Sequence, residues 1–305
     1  MNISVAAPFI PRPLHGNLAG ALSQSLQRGD DLALFWLGQA GFALVAAGRL
    51  LVIDPYLSDS LAEKYRGTTY PHERMMPAPI QPEELPRLDA VLVTHRHTDH
   101  MDPGTLPALA RTFAQARFIV PEAELTEASL RTGLAIDTPR LVGVNAGEVM
   151  ELGAGLSLTV FPAAHETPET DAAGRHRFLG YGIEIPGLRL WHSGDCVPFS
   201  SLVPLVKAFR PDVALLPVNG RDRVLRAAGV PGNFTLDEAI ATARDVGASQ
   251  LIAHHYGMFD FNSCAPEAID EAARWERSIF VSRALADVVY DGNAESGLNM
   301  RKNNG

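Results

Sequence analysis

The sequence predicts an α/β chain built as a four-layer αββα sandwich, two mixed β-sheets packed face to face with helices outside. Three observations predict it. The chain has 305 residues, 46% of them hydrophobic, which is enough to bury a large core. Its apolar runs fall into two halves, each a set of β-hairpins followed by strand–helix units. The strands after the hairpins are continuous and β-branched, as strands buried on both faces are.

Residues 1–30 open with "MNISVAAPFIPRPLHGN", which prolines break before a long apolar run can form. They are read as an N-terminal arm. This start lacks the basic residues of a signal peptide, and no later stretch is apolar enough to span a bilayer. A single domain is expected over residues 31–290. Its first segment, "DLALFWLGQAGFALVAAGRLLVIDPYLSD", reads as three short strands punctuated by Gly38, Gly41 and Gly48 and stopped at Asp54-Pro55. Residues 60–85 are polar and proline-rich, an expected surface loop of the length that forms lids and binding surfaces. "LDAVLVTH" is a buried strand. "PGTLPALARTFAQA" spaces Leu106, Leu109 and Phe113 as a helix does, "RFIVP" returns to strand, and "EAELTEASLRTG" is a helix stopped by Gly133.

The second half repeats this order. "GEVMELGAGLSLTVFPAAH" and "RFLGYGIEIPGLRLWHSGD" are strand pairs turned at Gly153–Gly155 and Pro186-Gly187. A helix ("FSSLVPLVKAF"), a buried strand ("PDVALLPVNG") and a second helix N-capped by Thr235 follow. "QLIAHHYGMF" is a strand ending in histidines, and "APEAIDEAARWERS" is the last helix. Residues 291–305 are expected to be a flexible tail.

The 35 acidic and 26 basic residues give a net charge of −9, which disfavours a nucleic acid as partner. Cys196 and Cys264 lie far apart, forming neither a disulfide framework nor a thiolate zinc site, and fit a reducing cytoplasm.

The chemistry concentrates in "VLVTHRHTDHMD". On an extended segment His95, His97 and Asp99 point the same way, and His100 can swing onto the same site as the chain turns towards Pro103-Gly104. Three imidazoles and a carboxylate within six residues can serve two adjacent cations, and such ligands suit zinc, manganese or iron(II). Other strand ends complete the count: His165 after "LTVFPAA", Asp195 in "HSGD" as a natural bridging carboxylate, and His254 or His255. His192 is read as structural, Cys196 as a buried inert thiol, and His15, His72 and His176 as surface residues. Asn219, Arg221 and Arg223 follow a buried strand at the expected rim and are candidate substrate-binding residues.

"THRHTDH", His165, "HSGD" and a late histidine together resemble the metallo-β-lactamase superfamily. The resemblance implies that His95, His97 and His165 hold one metal, that Asp99, His100 and the late histidine hold the other, and that Asp195 bridges them. "IDPYL" matches an early Asp motif of that superfamily, which implies that Asp54 orients the ligands. "FWLGQAGF", "PVNGRD", "GNFTLDEA" and "HHYGMFDFN" are similar to the L-ascorbate-6-phosphate lactonase-like branch, with the resemblance running from Leu34 to Phe261. In that branch the late ligand precedes an aromatic residue and a short turn, which favours His255. The branch implies a cytoplasmic enzyme, a homo-oligomer, and hydrolysis of a small anionic metabolite such as a phosphorylated sugar lactone. A hydroxide bridging two metals would attack, with Asp99 orienting it and shuttling the proton. The same metal pair suits a phosphodiesterase acting on RNA 3′ ends or as a phospholipase D, so the motif alone leaves that alternative open.

Overall fold

The computed structural model describes residues 9–29, 32–185 and 187–292. Among the described residues fifteen strands form two mixed sheets. In the first half of the chain these are β1 (Phe9–Pro13), β2 (Ala33–Gly38), β3 (Gly41–Ala46), β4 (Arg49–Ile53), β5 (Ala90–Leu92), β6 (Arg117–Pro121) and β7 (Leu141–Val144). Next come β8 (Val149–Gly153), β9 (Leu156–Pro162), β10 (Leu179–Ile185), β11 (Leu188–His192), β12 (Val213–Pro217), β13 (Gln250–His254), β14 (Phe280–Arg283) and β15 (Val288–Gly292). The helices are α1 (Leu18–Arg28), α2 (Ser60–Lys64), α3 (Leu106–Thr112), α4 (Leu125–Thr132), α5 (Leu202–Phe209), α6 (Arg223–Ala227), α7 (Leu236–Asp245) and α8 (Pro266–Trp275). Among the described residues none of these is long and apolar enough to cross a membrane.

The first sheet runs β1-β15-β2-β3-β4-β5-β6-β7 and the second β14-β13-β12-β11-β10-β9-β8. In each half an antiparallel hairpin set passes into parallel strands, which is the expected sandwich. Side-chain alternation sorts β2 into layers. Leu34 and Trp36 join the core between the sheets, while Ala33, Phe35 and Leu37 join a second core that includes Leu22 of α1 and Leu106 and Leu109 of α3. Both faces of the strand are buried, hence its continuous apolar sequence.

Residues 9–28 correct the expected arm, since they form an edge strand and a helix of the fold. β1 pairs with β15 from Phe9↔Gly292 to Pro13↔Val288. The Phe9 N–H donates to Gln250 Oε1 at 2.9 Å, and Gln250 Nε2 donates back to Phe9 O at 3.0 Å, tying this edge to the second sheet. Phe9, Pro11 and Pro13 alternate on the outward side, where a missing N–H takes nothing from the ladder. Of the expected tail, Asp291 and Gly292 end β15 and the remainder lies outside the described residues. Pro186 of the expected β10–β11 turn also lies outside them.

Directions follow from the pairing. The carboxyl ends of β2, β4 and β5 lie at one edge of the first sheet, and those of β9, β11, β12 and β13 at one edge of the second. The two edges meet where the Tyr181 hydroxyl of β10 donates to Val93 O at 2.7 Å and the Leu179 N–H to Thr94 O at 3.0 Å. Loops leaving these ends converge, as ligand sites of α/β sheets do.

Candidate metal centre

The chain after β5 is not extended through the histidines. The N–H groups of His100 and Met101 both donate to His97 O, at 3.0 and 2.8 Å, so residues 97–101 close a helical turn. The turn packs the rings together, with centroids 4.6 Å apart for His95 and His97 and 4.0 Å for His95 and His100. Buried Asp102 holds it, accepting from the Ser58, Ser60 and Thr105 hydroxyls and from Gly104 N–H.

Three donor groups result, each with ligand atoms within 4.8 Å of one another: His95, His97 and His165; His95, His100 and Asp195; Asp99, His100 and His255. Asp195 lies between the trios. Its Oδ2 is 3.3 Å from His165 Nε2, 3.3 Å from His255 Nε2 and 3.4 Å from His100 Nε2. The structure thus brings together all seven candidate ligands, with His255 rather than His254 facing the cluster. His254 lies behind it, its ring stacked on His192 at 4.9 Å.

The surroundings set the tautomers. Asp54 Oδ2 accepts from His100 Nδ1 at 2.7 Å and from the Thr94 hydroxyl at 2.6 Å. Thr94 Oγ1, with its hydrogen on Asp54, accepts from His95 Nδ1 at 3.0 Å. His165 Nδ1 donates to Gly232 O at 2.9 Å. Each of these three rings therefore spends its Nδ1 hydrogen on the protein and turns Nε2 to the centre, the usual arrangement behind metal-bound histidines.

Burial pushes the His97 imidazole down to about 3 and lowers His95 and His165 as well. Burial also disfavours charge on His100 and His255, yet Asp195 and its neighbouring carboxylates overrule it, raising His100 well above its usual value and His255 to about 9. The carboxylates around His100 and His255 thus favour positive charge there, the sign of charge a bound cation would also bring. His95 Nε2, His100 Nε2 and Asp195 Oδ1 are buried without a hydrogen-bond partner. Such atoms cost about 1–3 kcal/mol each unless a ligand satisfies them, so the donor set fits divalent cations.

Backbone strain marks the same place. Among the described residues eight non-glycines have positive φ, and three of them are Gln39 (50°), Asp54 (43°) and His255 (60°). Gly194, with φ 62°, carries Asp195 round a turn so tight that an added Cβ would lie 2.5 Å from Leu179 O. His192 Nδ1 accepts the Gly194 N–H and its Nε2 donates to Ala40 O, so its role is structural. Burial pushes the Cys196 thiol up to about 12 and leaves it inert.

A cavity of about 370 Å³ opens over the cluster. Lys64, Arg96 and Arg131 line its outer part, together with Tyr65, His72 and Phe259. Gln39 lines its floor, donating through Nε2 to Asp99 Oδ2 at 2.8 Å and accepting the His255 N–H on its carbonyl at 3.0 Å. In the sequence Gln39 stands only within "FWLGQAGF", and its place just after β2 is the one signal for it. His72, read as a surface residue, is buried.

The expected substrate-binding residues are placed differently. Asn219 lies one residue behind the wall, donating to Asn262 Oδ1 at 2.9 Å. Arg221 and Arg223 line a separate cavity of about 450 Å³. Arg221 is moreover committed to Glu238, Nη1 to Oε2 at 2.7 Å. Glu238 also caps α7, and Arg221 holds its carboxyl below the ordinary 4.5. That pairing contributes stability fully above pH 4.5 and loses it as pH falls through the lower folded-state value. Arg221→Ala is expected to cost ~0.2–1 kcal/mol in a denaturant titration. Hydrolysis should stay within about twofold, as for a surface residue clear of the site, and a larger fall in kcat/KM would return Arg221 to the substrate.

A two-sheet sandwich with a His/Asp cluster at converging strand ends defines the metallo-β-lactamase-fold class. The chain belongs to the β-lactamase superfamily, whose domain model matches residues 49–256. It is 29% identical over 276 residues to a "UPF0173 metal-dependent hydrolase" of Myxococcus xanthus, covering 87% of this chain and 84% of that one. It is 28% identical over 235 residues to the like-named protein of Aeropyrum pernix, covering 74% and 83%. Among solved structures it resembles an isothiocyanate hydrolase from Delia radicum gut bacteria (TM-score 0.66, 18% identity, 84% and 97% covered). It also resembles a metallo hydrolase from Ignicoccus hospitalis (TM-score 0.64, 18% identity, 86% and 99% covered). These structural likenesses show the fold.

Proposed function

We propose that this metal-dependent hydrolase of the β-lactamase superfamily uses two divalent cations, zinc or manganese, to hydrolyse a small anionic substrate with a lactone- or ester-like carbonyl. The observation that carries the reading is Asp195 Oδ2, 3.3 Å from a histidine of each trio. His95, His97 and His165 would hold one cation, Asp99, His100 and His255 the other, with Asp195 shared. Cations held there would lower the pKa of a bound water towards neutrality and polarise the substrate oxygen.

The chain's own residues do the rest. Asp99 accepts the proton of the attacking water and returns it to the leaving oxygen as the acyl carbon–oxygen bond breaks. Gln39 fixes the Asp99 carboxylate for this through its 2.8 Å hydrogen bond. Arg131 at the mouth is paired with Glu127, so Lys64 and Arg96 supply the positive charge that draws an anion into a chain of net charge −9.

The test compares a phosphorylated sugar lactone with a generic phosphodiester, using zinc- and manganese-loaded protein and His97→Ala as control. Lactone turnover that the variant loses supports the reading. Diester turnover alone moves the chain to the phosphodiesterases, and neither activity in metal-replete protein overturns the substrate class.

A further inference from the structure

A second recess of about 230 Å³ adjoins the cavity over the metal cluster and shares Tyr65, His72, Gly229 and Val230 with it. One wall of the recess is aromatic. Tyr65 and His72 stack with centroids 4.3 Å apart and planes at 24°, and Tyr70 follows on the same segment. Ala228, Gly229 and Val230, small and apolar, line it too, together with Thr68 and Thr69. Among the described residues no charged side chain lines the recess.

The aromatic wall is held from behind. His72 meets Phe259 and Phe261 edge-on at 5.1 and 4.8 Å, and Tyr70 packs on Phe261 at 4.9 Å. His72 Nδ1 donates to Tyr70 O at 2.6 Å, fixing its ring plane. Burial lowers the imidazole's affinity for a proton, so the wall is uncharged. The rings are thus already placed before any ligand arrives, which removes part of the ordering cost of binding.

We infer that this recess is a specificity subsite for an aromatic ring, so that the substrate is an aryl-bearing anion whose hydrolysable carbonyl lies over the metal cluster while its ring lies against Tyr70 and Val230. Its size suits one ring system, since an apolar cavity of about 150 Å³ takes up benzene. Aromatic faces favour a ring over an alkyl chain of equal area by about 0.5–1.5 kcal/mol for each well-placed pair. The inference rests on the hydrolase reading only for the fate of the carbonyl, because the subsite itself is a matter of binding.

The test is therefore a binding measurement on the metal-loaded protein, with acetate, hexanoate and 2-naphthoate titrated by calorimetry. The expected order is 2-naphthoate tightest, hexanoate about tenfold weaker and acetate weakest, a tenfold step being about 1.4 kcal/mol. Tyr70→Ala and the uncharged, recess-filling Val230→Gln should each weaken 2-naphthoate about tenfold, the same step, and leave acetate unchanged. Hexanoate binding as tightly as 2-naphthoate, or both variants binding 2-naphthoate like the parent, would overturn the subsite. Aryl and alkyl esters assayed on the same proteins separate the two claims. The expected binding pattern without turnover of any ester removes the hydrolase reading and keeps the subsite. Turnover with a KM that ignores the ring does the reverse.

Discussion

Asp195→Ala is expected to abolish hydrolysis and to empty the metal centre. The loss in kcat/KM should be on the order of a thousandfold or more, beyond the ~10–100-fold typical of residues that only orient a ligand. Asp195 faces histidines of both trios, and its charge holds His100 and His255 in place against burial. Without it His165 faces no carboxylate, and Asp99 alone, 3.7 and 3.6 Å away, remains beside His100 and His255. Metal analysis after gel filtration checks this beside the kinetics. A variant that kept its full metal content and hydrolysed normally would sink the shared-ligand role.

Asp54→Ala should be the most damaging change outside the ligands. This carboxylate is fully buried and accepts from Thr94 N–H, the Thr94 hydroxyl and His100 Nδ1 at 2.8, 2.6 and 2.7 Å. Truncation strands all three donors, and breaking a buried charged pair costs roughly 3–5 kcal/mol. Asp54→Asn separates stability from chemistry. Its amide oxygen still accepts the Thr94 N–H, but its NH₂ would face His100 Nδ1 and drive the ring hydrogen to Nε2. A milder loss of stability with a ~10–100-fold loss of metal affinity is expected. Thermal unfolding and competitive chelation read the two separately. If asparagine bound metal as the parent does, tautomer control by Asp54 would be wrong.

The candidate ligands are legible in the sequence because they are dense and sit where apolar runs end. It misled on how they converge, since the rings meet through a helical turn at 97–101, and a local alternation rule cannot see a turn fixed by Asp102 and three hydroxyls. Arg221 was correctly placed after a buried strand. Its direction was decided by Glu238, seventeen residues on, a pairing no local pattern reveals. β1 escaped notice for a similar reason. Its prolines argue against a strand unless the segment is an edge, and the partner that makes it one lies at the other end of the described chain.

That pairing has a consequence for the order in which the molecule can be made. β15 lies between β1 and β2, with Tyr290 opposite Leu34 and Asp291 opposite Ala33. On the ribosome β2 and β3 emerge early, yet the flank of β2 has no neighbour until residue 292 has been synthesised. While residues 39–292 are being made, the nascent chain therefore carries an uncovered strand edge of the kind that recruits other chains. A stop codon before Val288 removes an inner strand of the first sheet and leaves β1 with nothing to join.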